Sequence, residues 1–309
     1  MNIQLELSKI YCALMKRTKL QNNKKSYDSW LSKKYNNRPL VSFVIQSHNK
    51  SVQVKYLAGK LRGYPGAEIV VIDDGSDLRH TRSLARFLTG ANEFLIRSND
   101  LYENVTYDKA LRFANGQYVA LLQDDDDFAG YGWIDEAVSL FETTPGLAIL
   151  GGRDGLDFLL DHANRLGTDA PAEGLEQTAF QFVAHVNRAP MWIRRSLFEE
   201  KLKHIDFSFA PFQYDDCELC LRAWLNGLKV GRYDAHFSSL SAGGMRIWNS
   251  AFTLSQCERN GRKLYEMYKD KKAEVDARVA EARLLRPASE RRPGTEANDP
   301  QNEPSTPSL

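Results

Sequence analysis

Three clusters of carboxylates carry the chemistry in this sequence: Asp73-Asp74 followed by Gly75-Ser76, the run Asp124-Asp125-Asp126-Asp127, and Asp215-Asp216 with Glu218 close behind. Adjacent ionised carboxylates repel one another, and a run of them demands a compensating cation. Hard oxygen donors suit Mg²⁺ or Mn²⁺, and Mg²⁺ typically uses one or two carboxylates together with phosphate oxygens of a substrate. An aspartate at a helix start is ordinarily a cap. One that faces a cation site is also a plausible general base for a hydroxyl group. The sequence has no GxxxxGK[ST] and no GxGxxG after its first apolar run. A phosphate ligand would therefore be neutralised through the cation rather than by a glycine loop.

The elements around these clusters alternate between strand and helix patterns. Val41-Ser-Phe-Val-Ile45 is a β-branched run ending in the polar Gln46-Ser47-His48-Asn49, and a helical stretch, Val52 to Arg62, follows. Glu68-Ile-Val-Val-Ile72 runs into Asp73-Asp74, and a helix over Thr106 to Ala114 leads through Asn115-Gly116 to Tyr118-Val-Ala-Leu-Leu122 and the aspartate run. Continuous apolar runs separated by helices predict an α/β fold, a mostly parallel sheet with helices on both faces. Ligands of such sheets bind at the carboxyl ends of the strands, where two of the acidic clusters fall. The third opens an amphipathic helix, with Leu219, Leu221, Trp224, Leu225 and Leu228 on its apolar side and Gly227 at its end. Cys217 and Cys220 sit inside that helix with no second CxxC or His pair to complete a zinc site, so they read as packing positions.

The whole chain has 309 residues, 41 Lys plus Arg against 40 Asp plus Glu, and a net charge of +1. That balance argues against a dedicated nucleic-acid binder. Four cysteines are too few for a disulfide framework, no apolar run approaches a membrane span, and no signal-peptide pattern opens the chain, so the expected location is cytoplasmic. Charge is uneven, however. Residues 1–38 hold Lys9, Lys16, Arg17, Lys19, Lys24, Lys25, Lys33, Lys34 and Arg38 against Glu6 and Asp28. Ile3, Leu7, Ile10 and Leu14 recur at helical spacing there, which predicts an amphipathic helix and connector packed on the main domain, or else peripheral contact with an anionic membrane surface. The expected organisation is a catalytic domain over 39–250, a charged helix over 251–286 and a proline-rich disordered tail over 287–309.

In their order, these motifs resemble the family 2 glycosyltransferases with their GT-A, nucleotide-diphospho-sugar transferase fold. The matching pieces are the Val41–Asn49 strand and turn, Asp73-Asp74-Gly75-Ser76, the Thr106–Asp127 helix, turn and strand with its D-x-D type motif, Tyr131-Gly-Trp133-Ile134, Ala189-Pro-Met-Trp-Ile-Arg194-Arg195, and Asp215-Asp216 through Trp224. The resemblance spans roughly 40–240, and it implies a nucleotide-diphospho-sugar donor, an acceptor hydroxyl, Mg²⁺ or Mn²⁺, and inversion at the sugar. It assigns Asp74 to the nucleotide base, with Ser47 and Asn49 lining the same pocket. Asp124 and Asp125 would contact the ribose and the metal, with Asp126 as the alternate ligand and His236 as an added metal or diphosphate contact. Asp216 would be the catalytic base, Asp215 a neighbouring substrate contact, and Trp133 an aromatic wall for the acceptor. Gln123 stands where the family often has Asp. The motif reads as Gln123-x-Asp125-Asp126 by strand length, the preferred alignment, or as Asp124-x-Asp126-Asp127 by distance to Trp133. Two other readings remain: a sugar-phosphate nucleotidyltransferase, which would want a Gly-rich basic loop in place of Gln46–Lys50, and a non-catalytic nucleotide-sugar-binding protein of the same fold.

Overall fold

The structure, a computed structural model, describes residues 3–32, 34–175, 179–188, 190–240 and 250–284. The tail expected over 287–309 and Ala189 lie outside these residues.

An eight-stranded sheet forms the centre, in the order β3-β2-β1-β4-β11-β6-β12-β9. Its strands are β1 (Val41–Ser47), β2 (Glu68–Asp74), β3 (Glu93–Ser98), β4 (Tyr118–Leu122), β6 (Leu147–Gly151), β9 (Phe180–Phe182), β11 (Met191–Arg194) and β12 (Lys229–Tyr233). β3, β2, β1 and β4 are parallel, as are β6 and β12; β11 runs antiparallel between β4 and β6, and β9 is antiparallel on β12. β1 and β4 carry no polar–apolar alternation because both of their faces are covered: Val41, Phe43, Val44, Ile45, Val119, Ala120, Leu121 and Leu122 are all fully buried.

The covering helices are α2 (Ser51–Leu61), α3 (Leu78–Phe87), α4 (Tyr102–Phe113), α5 (Gly132–Thr143) and α6 (Asp215–Leu225), preceded by α1 (Ile3–Ser32) and followed by α7 (Ser250–Tyr268) and α8 (Lys272–Leu284). In α2 the spacing Val54, Leu57, Ala58, Leu61 turns one face into the core. Each large side chain buried there contributes roughly 1.5–3 kcal/mol. A three-stranded sheet, β10 (His185–Val186), β7 (Gly155–Asp161) and β8 (Leu166–Pro171), stands beside the main one, and β5 (Asp126–Asp127) pairs with β13 (Ser238–Ser239).

At the N-terminus the packed alternative does not hold, and the C-terminal stretch is not one helix. The N-terminal stripe does not pack on the domain: Ile3, Leu7, Ile10 and Leu14 are 71%, 62%, 57% and 62% exposed. The C-terminal charged stretch is two helices broken at 269–271, and Leu264, Tyr268, Val275, Val279 and Ala282 from them enter the main core. Their charged residues mask this in the sequence, because only one narrow face is apolar.

Candidate active site

Topology gathers the first two carboxylate clusters. From β1 the chain moves outward through β2 to β3, then crosses back to lay β4 on the other side of β1. The switch point of this open sheet therefore lies between β1 and β4, and their carboxyl ends carry Ser47 and Gln123–Asp127.

Ser47 lies opposite Asp73 in the β1–β2 pairing. Both are buried, and Ser47 Oγ and Asp73 Oδ1 have no hydrogen-bond partner among the described residues, while Asp73 Oδ2 accepts from Thr81 Oγ1 at 2.5 Å. Orphaned polar atoms at a strand end call for a ligand or water. Asp74, which the resemblance assigns to the base, points to the other face. Its carboxylate accepts from Ser98 Oγ at 2.8 Å and from the amides of Leu101 at 2.9 Å and Tyr102 at 2.8 Å, so it shapes the turn into α4. Gly75 (φ 75°) permits this turn, since a Cβ there would collide with the Asp100 carboxylate. Asn49 ties the two loops together: its amide donates to Ser76 Oγ at 2.8 Å, and its Oδ1 accepts from the Asp77 amide at 2.8 Å.

The aspartate run is divided among different partners. Asp124 pairs with Lys50 at 2.9 Å and Asp127 with Lys60 at 2.5 Å. Asp125 accepts from Ser239 Oγ at 3.2 Å, and Asp126 accepts from the Gln123 amide at 2.8 Å. Pairing of β5 with β13 sets Ser239 opposite Asp126, so the segment after His236 closes over the acidic run. His236 has a left-handed backbone (φ 52°) and is exposed, with Nδ1 3.3 Å from Asp234 Oδ1. Burial, aided by the charges of Asp125 and Asp124, pushes the Asp126 carboxyl up to about 7, against the Gln123 amide and Arg153, which draw it down. Among the described residues no group of three or more His, Cys, Asp or Glu side chains is arranged to hold a metal ion.

The third cluster reaches the sheet through Arg188. This arginine is 8% exposed and pairs with Asp215 and, at 3.2 Å, with Glu103 of α4. Its guanidinium stacks 4.8 Å from the Tyr107 ring centroid, and Tyr107 Oη donates to the Leu122 carbonyl at 2.9 Å, at the end of β4. Burial works against the Arg188 charge, but Asp215, Asp216 and Glu103 outweigh it, so the guanidinium stays protonated. Asp215 is fully buried in this pairing, which turns it away from solvent. Asp216 is half-buried, and its Oδ1 accepts from the Cys217 amide at 2.9 Å. Gln213 (φ 77°) and Tyr214 (φ 63°) precede it, both left-handed and each at a cost on the order of 1–3 kcal/mol.

Trp133, expected at the acceptor, is 6% exposed and packs against Phe43, Phe128, Trp192 and Phe237, with ring centroids 4.7–5.9 Å away. It supports the segment after the acidic run from beneath. Cys217 and Cys220 are buried free thiols. Sequence reasoning assigned Asp73 no role of its own within its cluster and none to Lys50, Lys60 or Arg188. Strand alternation was a signal for the first, because Asp73 and Asp74 must face opposite sides of the sheet.

Residues 35–225 match the model of the glycosyl transferase family 2. No curated protein matches the chain. Among solved structures, the mannosyltransferase PcManGT from Pyrobaculum calidifontis in complex with GDP-Man and Mn²⁺ is 15% identical, with a TM-score of 0.51 over 92% of this chain and 88% of that one. GalNAc-T7 with UDP, GalNAc and Mn²⁺ is 18% identical, with a TM-score of 0.54 over 63% of this chain and 42% of that one. S. aureus TarS 1-349 is 18% identical, with a TM-score of 0.50 over 77% of this chain and 71% of that one. At these identities the likeness shows a shared fold.

Proposed function

The chain belongs to glycosyl transferase family 2, and on that premise we propose that it moves a sugar from a nucleotide-diphospho-sugar to an acceptor hydroxyl, with inversion and with the help of Mg²⁺ or Mn²⁺. The observation that carries this reading is the convergence on one sheet end of two orphaned buried oxygens, the aspartate run and, through Arg188, the start of α6.

The nucleotide base lies against the strand ends where Ser47 and Asp73 keep buried oxygens unpartnered among the described residues, with Asn49 and Asp74 holding the two loops that border it. Asp124, beside Lys50, faces the ribose and diphosphate. The donor set fits a hard divalent cation: Asp125 and Asp126 offer adjacent, nearly buried carboxylates, and Mg²⁺ and Mn²⁺ complete their shells with substrate oxygens. His236, two residues before the strand that covers the run, is the further contact. When bound, the cation supplies Lewis-acid stabilisation of the departing diphosphate. Asp216 takes the proton of the acceptor hydroxyl as that oxygen attacks the anomeric carbon from the side opposite the leaving group. Two of the similar structures hold Mn²⁺ with a nucleotide or nucleotide sugar, which supports the same class of donor here.

Incubating the purified chain with labelled UDP- and GDP-sugars and Mn²⁺ tests this directly. One nucleotide is expected to raise the unfolding temperature, at 100 times its Kd by the equivalent of about 2.7 kcal/mol, and its sugar to move to an acceptor. A chain that no nucleoside diphosphate stabilises, and that leaves every donor intact, would overturn the proposal.

Peripheral membrane contact through residues 1–38 is a second part of this reading. Among the described residues no helix is long and apolar enough to cross a membrane. The exposed Ile3, Leu7, Ile10 and Leu14, followed by a basic stretch, fit the interface of an anionic bilayer. The full chain is expected to float with phosphatidylserine vesicles, to be released by 0.5 M salt, and to stay at the bottom of the gradient when residues 1–38 are removed. Flotation unchanged by that deletion would refute the contact.

A further inference from the structure

The candidate base stands at the start of α6, and the segment before it is held by a helix outside the family-matched region. Gln213 and Tyr214 are consecutive non-glycine residues in the left-handed region, a conformation their own side chains do not favour. Asn260, in α7 and fully buried, supplies what fixes it. The two hydrogens of its Nδ2 are shared among the carbonyl oxygens of Phe209 at 2.9 Å, Phe212 at 2.9 Å and Gln213 at 2.8 Å. Arg259 Nε donates to Asn260 Oδ1 at 3.0 Å and so sets the amide's orientation, while Arg259 Nη2 reaches the Ala210 carbonyl. The next residue is Gly261, where a Cβ would meet the Gly167 carbonyl oxygen at 3.0 Å and the Tyr214 ring at 3.7 Å. One turn of α7 thus grips the loop before α6 while lying hard against β8. The family match ends at residue 225, and all of α7 follows it.

We infer that Asn260 is a positioning residue for transfer: by clamping the three carbonyls of 209–213 it sets where α6 begins and so where the Asp216 carboxylate stands. The inference rests on Asp216 being the base. Misplacing a reacting group by about 1 Å costs about a hundredfold in rate. In the full chain, Asn260→Ala is therefore expected to lower kcat 10- to 100-fold, while calorimetry with Mn²⁺ and the preferred nucleoside diphosphate finds affinity within twofold of wild type. A double-mutant cycle with Asp216→Asn separates positioning from general loosening. If Asn260 acts through Asp216, adding Asn260→Ala to Asp216→Asn changes the residual rate by less than twofold. Multiplicative losses in the double variant, or nucleotide affinity falling in step with kcat, would overturn the clamp. Near-normal turnover by Asp216→Asn alone would instead overturn the base assignment, and this proposal with it. Should Asn260→Ala fail to fold, Asn260→Ser, which keeps one donor toward the loop, carries the same cycle.

Discussion

Asp216→Asn is expected to lower turnover by about 10²- to 10⁴-fold, the usual contribution of a general base, while nucleotide affinity stays within a fewfold of wild type. The substitution is conservative in the fold. Asn keeps an oxygen for the Cys217 amide that Asp216 Oδ1 now accepts from, and the site is half-buried, so no cavity opens. Loss of a charge at a helix N-terminus costs roughly 0.3–1 kcal/mol and weakens the attraction of Asp216 for the buried Arg188, partly offset by relief of repulsion with Asp215. The orphaned oxygens of Ser47 and Asp73 lie on β1 and β2 and are untouched. The neighbouring substitution has a different signature. Asp215→Asn removes the buried partner of the Arg188 guanidinium and leaves it the ion pair with the more exposed Glu103, and breaking a buried pair costs about 3–5 kcal/mol. Rate measurements paired with thermal unfolding thus distinguish the two aspartates: one loses turnover at nearly constant stability, the other loses stability first. If Asp216→Asn transferred sugar at a near-normal rate, the base would have to be sought elsewhere.

What the sequence made legible follows from periodicity. Val41–Ile45 and Tyr118–Leu122 lack alternation because they are covered on both faces, and that pattern predicted a parallel sheet with helices on both sides and polar strand ends at its rim; the strand order came only with the structure. The two acidic clusters at strand ends were legible for the same reason. The partition within them was not. Whether an aspartate meets Lys50, Lys60, a serine or an orphaned pocket depends on pairing between residues 67–114 positions apart, for which local sequence has no signal. Trp133 shows the limit from the other side: an aromatic residue after an acidic turn fits a sugar wall or a core equally well, and only the surrounding Phe43, Trp192 and Phe237 decide it. The role of α7 was hidden too, because an asparagine within a charged helix reads as a solvated position until the three carbonyls around it are seen.

Asp126→Asn has the second large expected effect, and its sign depends on pH. The carboxyl is 2% exposed; burial first, then the charges of Asp125 and Asp124, raise it to about 7, against an ordinary value of 3.8. Because the folded value lies above the unfolded one, its contribution to stability is fully present below about pH 4 and is lost as pH rises through 7. Over that window the loss is on the order of 4 kcal/mol. The asparagine variant cannot ionise, so its unfolding temperature is expected to gain about 5 °C on wild type between pH 5 and pH 8 in chelator-treated samples. Addition of Mn²⁺ at pH 8 should reverse the order, stabilising wild type and leaving the variant unchanged. Nucleotide affinity in the presence of Mn²⁺ should fall at least tenfold in the variant. A gap between the two proteins that does not change with pH would show that Asp126 is already ionised without a cation. Equal stabilisation of both by Mn²⁺ would move the metal ligand from Asp126 to its neighbours in the run.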